Sequence, residues 1–225
     1  MKKNISIAVD GPAGSGKSTV CKMVADRLGL YHLDTGAMYR ALGYAAIRNG
    51  VSHKDLDAVL RLIENTEIKV SFDEEKKQHV HVNGEDVTDK IRTGEIAQAA
   101  SDFGTVERVR AHMVKLQREF AAGNPVILDG RDICMYVLPD ADVKIFLTAT
   151  PEERAKRRFL DFKQKGIRQD STLEDIAEEL KTRDAQDSSR KASPLAVAED
   201  AYVLDTTNMT AEEACNKIIA MAEEK

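Results

Sequence analysis

The run Gly11-Pro12-Ala13-Gly14-Ser15-Gly16-Lys17-Ser18-Thr19 carries the densest chemical signal in the chain. It fits the spacing G-x-x-x-x-G-K-[ST], a turn whose backbone N–H groups cradle phosphates. Gly11 and Gly16 permit the unusual dihedrals that wrap such a turn around a polyphosphate. Lys17 is placed to reach the β- and γ-phosphates, and the Ser18 hydroxyl to ligate Mg²⁺. The apolar run Ile5–Val9 precedes the turn, and a helical repeat at Val20, Met23, Val24 and Leu28 follows it. That strand–turn–helix context separates the motif from an ordinary glycine-rich turn. A helix beginning near Lys17 also points its positive dipole end and unpaired amides at the same anion. Binding of a nucleoside triphosphate is the expectation.

The arginines suggest what is done with that triphosphate. Arg40 follows Asp34-Thr35-Gly36 on an early helix, and Arg131 lies just past a strand ending in Asp129. Ligands of parallel sheets bind at such strand ends. Arg154, Arg157 and Arg158 are spaced i, i+3, i+4 and share a helix face, as do Arg183, Asp187 and Arg190 at i, i+4, i+7. Any one of these taken alone reads as a solvated, salt-bridged surface residue. Taken as a set beside a triphosphate loop, they favour phosphate recognition. The chain has no N-K-x-D or T-K-x-D base-reading motif of a GTP switch, and Gly130 follows Asp129 where hydrolases often place a water-positioning Glu. A kinase needs no such base, but it needs positive charge around two phosphate groups. A non-catalytic ATP-binding regulator is the alternative from another class, and the paired arginine sets argue against it.

Positioning these residues requires alternating strands and helices. Leu30–Leu33 reads as a second strand, followed by a helix from Thr35 that stops at Asn49-Gly50. Ser52 is expected to cap the next helix, through Ile63. Glu67–Phe72 and His79–Val82 read as strands of a small antiparallel insertion from Ile68 to about Val87. Helical patterns resume over Glu95–Ala100 and Glu107–Phe120. Pro125–Asp129, Val143–Leu147 and Tyr202–Leu204 read as further strands. Thr150 with Pro151 and Glu153, Ser171 with Glu174, and Thr210 with Glu213 read as helix starts with capping boxes. The alternation predicts an α/β fold with a mostly parallel sheet covered by helices on both faces.

Composition agrees. The 225 residues suffice for one sizeable core, and 42% hydrophobic with 32% charged residues suits a globular protein. A net charge of −5 argues against a nucleic-acid coating role. Cys21, Cys134 and Cys215 form neither a disulfide framework nor a zinc pattern, and Cys21 reads as a small buried apolar residue. His79 and His81 share a strand face but are a weak metal signal. No apolar stretch approaches the ~20 residues that span a membrane. Met1-Lys2-Lys3-Asn4 leads into the first strand without a signal-peptide core, so the cytoplasm is the expected compartment. No heptad or long apolar stripe is present, and a monomer is expected.

With Leu33-Asp34-Thr35-Gly36-Ala37-Met38-Tyr39-Arg40, Asp129-Gly130-Arg131-Asp132, Glu152-Glu153-Arg154-Ala155, and Arg183-Asp184 followed by Asp187 and Arg190, the chain resembles the bacterial cytidylate kinases. These belong to the nucleoside monophosphate kinases, and the resemblance spans nearly the whole chain. It implies a P-loop kinase fold with a five-stranded parallel sheet, a small antiparallel insertion and a short lid. The chain would be a single domain: a core of about 1–38, 122–152 and 192–225, an insertion of about 39–121 with its hairpin at about 67–87, and a lid of about 153–191. The implied reaction is transfer of the γ-phosphoryl of ATP to CMP or dCMP with Mg²⁺. Gly11 to Thr19 with Arg154, Arg157 and Arg158 would hold ATP, and Ser18 the metal. Thr35, Arg40, Ser101, Arg110, Arg131, Asp132, Arg183, Asp187 and Arg190 would contact CMP. Among these, Arg40, Arg131 and Arg190 would take its phosphate, Arg183 and Asp187 its sugar side, and Ser101, Arg110 and Asp132 its base. Lys17, Arg131, Arg157 and Arg190 would serve the transfer itself. Cys134-Met135-Tyr136 stands where the family shows a Gly-Thr-Val-like stretch. A kinase acting on UMP or AMP is the nearest alternative.

Overall fold

The computed structural model describes residues 4–168 and 170–225. Residues 1–3, on which most of the expected leader-free start rests, lie outside the described residues. In chain order the elements are β1 (Ser6–Asp10), α1 (Lys17–Leu28), β2 (Tyr31–Asp34), α2 (Thr35–Arg48), α3 (Leu56–Glu64), β3 (Ile68–Phe72), β4 (Gln78–Val82) and β5 (Glu85–Asp86). There follow α4 (Gly94–Phe103), α5 (Glu107–Ala122), β6 (Val126–Gly130), β7 (Val143–Thr148), α6 (Pro151–Lys165), α7 (Leu173–Ser189), β8 (Tyr202–Asp205) and α8 (Ala211–Glu223). A five-stranded sheet has the order β2-β6-β1-β7-β8, and a separate three-stranded sheet the order β3-β4-β5. The chain divides into two compact units, Met1–Leu30 with Pro125–Lys225, and Tyr31–Asn124.

In the first unit β1 pairs in parallel with β6 on one side and β7 on the other, and β7 pairs in parallel with β8. Ile7, Val9, Ile127, Ile145 and Leu147 project to one face, where Val20, Cys21 and Val24 of α1 and Ala214, Cys215 and Ile218 of α8 bury them. Strands covered on both faces read as continuous apolar runs, which is why these strands stood out in the sequence. Cys21, Cys134 and Cys215 are buried thiols, and none of them is in a disulfide. A second cluster joins Ala155 and Phe162 of α6 to Ile176 and Leu180 of α7, and takes in Ala13 of the glycine-rich turn.

In the second unit β3, β4 and β5 are antiparallel, with Val70 opposite Val80. The two-residue β5 was not foreseen beyond the turn at Asn83-Gly84. On β4, His79 Nδ1 lies 3.0 Å from an Asp86 carboxylate oxygen and His81 Nε2 lies 2.9 Å from Ser71 Oγ. Helix α4 crosses α2 at Gly43, where a Cβ would sit 3.0 Å from the Ala100 nitrogen and 3.2 Å from the Ile96 oxygen.

Three expected helix starts need correction. Asp55, not Ser52, caps α3, its carboxylate accepting from the Ala58 N–H at 3.0 Å. Thr172 with Asp175, not Ser171 with Glu174, forms the capping box of α7. Thr150 caps α6, but the Glu153 carboxylate turns instead to Arg157 Nε at 2.9 Å. Thr210 and Glu213 form the expected box on α8. Among the described residues no helix is long and apolar enough to cross a membrane.

Candidate active site

The turn between β1 and α1 holds its shape through three glycines with positive φ, Gly11, Gly14 and Gly16. Gly11 has φ 151°, and a Cβ there would lie 2.0 Å from the Leu147 carbonyl oxygen of β7. Gly16, with φ 92°, is the left-handed residue immediately before α1. Lys17 folds inward and is 5% exposed. Its Nζ donates to the Gly11 and Pro12 carbonyls at 2.8 Å each and to Ser15 Oγ at 3.3 Å. Burial, and then the positive charge of Arg131, bring its pKa down to about 7, with Asp129 pulling the other way. A polyphosphate in this loop would supply the counter-charge that restores the ammonium.

Ser18 Oγ donates to Asp129 Oδ2 at 2.8 Å, joining the start of α1 to the end of β6. A hydroxyl and a carboxylate are hard oxygen donors of the kind Mg²⁺ prefers, so this pair fits the expected ion.

Just beyond β6 the cationic side chains gather around one carboxylate. Asp187 of α7, buried, accepts from Arg131 Nε at 2.8 Å and from Arg190 Nη1 at 3.3 Å. Burial alone would raise its pKa, but the charges of Arg131, Arg183 and Arg190 win and hold it below the usual carboxylate value. Arg190 Nε also donates to the Ser193 carbonyl at 2.6 Å. Asp132, buried, leads into a short π-helical turn over Ile133–Val137. Asp10, the last residue of β1, accepts the N–H of Ile133 at 2.7 Å and of Cys134 at 2.8 Å. Cys134 fits this turn as a buried thiol, with Sγ 3.6 Å from the Ala8 carbonyl oxygen.

Of the arginines on α6, Arg154 is buried and Arg157 and Arg158 half-buried. Arg154 donates from Nη1 to the Ala13 carbonyl at 3.0 Å and to Asp184 Oδ2 at 2.6 Å, and from Nε to the Ala149 carbonyl at 3.1 Å. Arg157 donates to the Ser15 carbonyl at 3.3 Å, to Thr206 Oγ1 at 3.0 Å and to the Thr206 carbonyl at 2.6 Å. The Arg158 guanidinium lies over the Phe162 ring, 4.5 Å from its centroid.

The second unit carries the other expected residues. Thr35 is buried at the first position of α2. Arg40 Nη2 pairs with Asp34 Oδ2 at 2.8 Å, while Asp34 Oδ1 accepts the Ala37 N–H at 3.0 Å. Ser101 is half-buried on α4. Arg110 is buried on α5, donating to the Gly104 carbonyl at 3.1 Å, with its guanidinium 5.6 Å from the Tyr39 ring centroid.

A cytidylate kinase family model matches residues 7–224 of this sequence. The chain is 48% identical to the cytidylate kinase of Caldicellulosiruptor saccharolyticus, over 97% of this chain and 96% of that protein. The chain belongs to the cytidylate kinase family. A similar match joins it to the cytidylate kinase of Lactobacillus johnsonii, at 49% identity over 98% of this chain and 95% of the relative. Among solved structures, an uncharacterized protein from Eubacterium ventriosum superposes with a TM-score of 0.55 at 13% identity, covering 99% of this chain and 100% of that one. That likeness concerns the fold alone.

Sequence reasoning gave the family's motifs but assigned no role to Asp10, Asp184 or Thr206. Asp10 had an available signal, a carboxylate closing an apolar strand directly before the glycine-rich turn, as Asp129 closes β6. Asp184 meets Arg154 across 30 residues, and Thr206 meets Arg157 across 49. No local spacing rule reaches that far.

Proposed function

We propose that this chain transfers the γ-phosphoryl group of ATP to CMP or dCMP, giving ADP and CDP or dCDP. Family membership over nearly the whole chain supports the reading. The observation that carries it is local: within one unit, the triphosphate loop with its buried Lys17 is joined by Arg131 and Arg190, both held by Asp187. One triphosphate does not need that many cations; a donor and an acceptor phosphate do.

The attacking group is a phosphate oxygen that is already anionic, so no strong base is required. Catalysis then consists of alignment and stabilisation of migrating charge. The loop from Gly11 to Thr19 holds the donor through its backbone amides from Gly14 onward, since Pro12 has no N–H and Ala13 gives its own to Asp184, with Arg157 and Arg158 on its side. Lys17, Arg131, Arg157 and Arg190 follow the charge. When bound, Mg²⁺ would be held by Ser18, with Asp129 as the hydroxyl's partner, and would neutralise charge on the β- and γ-phosphate oxygens. For the acceptor, Arg40, Arg131 and Arg190 take the phosphate, Arg183 and Asp187 serve the sugar side, and Thr35 also contacts CMP. Ser101, Arg110 and Asp132 read the base. Cytosine offers an amino donor that a carboxylate accepts and ring acceptors that a guanidinium serves. Uracil reverses those roles and leaves a buried charge unmatched. On this reading the chain works as a monomer in the cytoplasm.

An ADP-release assay with MgATP across CMP, dCMP, UMP and AMP tests the proposal. Fast, acceptor-dependent release with the cytidine nucleotides is expected. Equal rates with UMP or AMP would reassign the acceptor, and ADP release without any acceptor would refute transfer.

A further inference from the structure

Arg154 is expected among the ATP contacts, but its guanidinium is directed at the back of the triphosphate loop. We propose that Arg154 and Asp184 are positioning residues of the ATP site, acting through the backbone of Ala13. The inference rests on the reading of the loop as the ATP site and adds how its amides are aimed.

Three observations converge. Arg154 Nη1 grips the Ala13 carbonyl at 3.0 Å while pairing with Asp184 Oδ2 at 2.6 Å. Asp184 Oδ1 accepts the Ala13 N–H at 3.4 Å, so both polar groups of Ala13 are tied to the α6–α7 pair. The Ala13 methyl packs with Ala155, Phe162, Ile176 and Leu180. At Gly14 an added Cβ would lie 3.0 Å from the Arg154 carbonyl oxygen and 3.4 Å from Leu180 Cδ1, so the turn and the two helices are in close contact.

The planarity of the peptide group turns this grip into function. In a trans peptide the carbonyl of one residue and the N–H of the next point in opposite directions. Holding the Ala13 carbonyl toward Arg154 therefore turns the Gly14 N–H away from α6, where it can donate to a phosphate. Arg157 acts likewise on the Ser15 carbonyl at 3.3 Å, and so on the Gly16 N–H. The Arg154 side chain is only 8% exposed, so the bridge to Asp184 is little screened and its geometry is fixed by three acceptors.

The test uses the full chain, with MgATP affinity measured by calorimetry, the KM for CMP by ADP release, and thermal melting as a check of the fold. Arg154→Lys keeps the charge beside Asp184, but one ammonium cannot reproduce the forked grip on Ala149 and Ala13. It should weaken MgATP binding about tenfold. Asp184→Asn keeps the shape and loses the charge, and should weaken MgATP binding in the same direction. In both variants the KM for CMP should stay within about twofold, because the aimed amides serve the donor. Unchanged MgATP affinity in both would overturn the proposal. So would a parallel loss for MgATP and CMP that follows the fall in melting temperature, which marks a bridge that only stabilises the fold. If Arg154→Lys fails to fold, Asp184→Asn decides by the same comparison. A wild-type chain that binds no MgATP would instead refute the reading of the loop, and this inference with it.

Discussion

Asp10 ends β1 with both carboxylate oxygens committed to the amides of Ile133 and Cys134, the two residues after Arg131 and Asp132. Burial lifts its pKa from 3.8 to about 6, against the pull of those amides and with the charge of Asp132 adding to the lift. The folded chain therefore keeps a proton that the unfolded chain has lost across this interval. Asp10's contribution to stability is fully present below about pH 4 and declines toward pH 6 by about 1.4 kcal/mol per unit. In Asp10→Asn that decline is absent. Urea unfolding of both forms from pH 4 to 7 should show the wild type losing stability relative to the variant up to pH 6 and no further. A constant difference across the range would contradict the assignment. At Asp132 the expected change is in choice of substrate. Asp132→Ala should reduce the CMP-over-UMP ratio of kcat/KM by at least about tenfold and leave MgATP affinity in place. An unchanged ratio would remove Asp132 from base recognition. Single residues were legible where their geometry is local, as at Gly11, whose place in the glycine-rich turn demands the φ of 151° that it adopts. They were illegible where the partner is remote in sequence, as for Arg154 and Asp184.

At the scale of elements, caps and apolar periodicity carried most of the fold. Thr150 and Thr210 start α6 and α8 as their spacing requires. Ser52 and Ser171 were displaced because Asp55 and Thr172, also good cap residues, lie closer to where the buried faces of α3 and α7 begin. The π-helical turn at Ile133–Val137 is too short for a periodic signature. Two local bonds, Val137 N–H to the Asp132 carbonyl at 3.3 Å and Leu138 N–H to the Ile133 carbonyl at 2.8 Å, close it, and the remote Asp10 carboxylate anchors its start. The crossing of α2 and α4 at Gly43 is the element-level feature most exposed to test. Gly43→Val must push against the Ala100 nitrogen, the Ala99 Cβ and the Ile96 carbonyl, all 3.0–3.2 Å from the new Cβ. It should cost about 1–3 kcal/mol by overpacking. Because α4 carries Ser101, the KM for CMP should rise while MgATP affinity holds. A fully stable variant with unaltered kinetics would show that the crossing has room to spare.

For the whole molecule, the distribution of functional groups between the two units matters more than composition. The glycine-rich turn, the arginines around Asp187 and the α6–α7 pair all belong to the first unit, and Thr35, Arg40, Ser101 and Arg110 to the second. The net charge of −5 gave no hint of these local cationic groups. Ligands that bind only the folded chain stabilise it by mass action, about 2.7 kcal/mol at a hundred times Kd. An inert ATP mimic with Mg²⁺ should therefore raise the melting temperature, and Lys17→Ala should abolish most of that rise along with phosphoryl transfer. Normal turnover in Lys17→Ala would contradict its role. The most direct measurement is a crystal structure with CMP and the same mimic bound. The triphosphate should lie against the Gly14–Thr19 amides and Lys17, with the CMP phosphate within hydrogen-bonding distance of Arg131 and the cytosine beside Asp132. A monophosphate bound away from both residues would contradict the account.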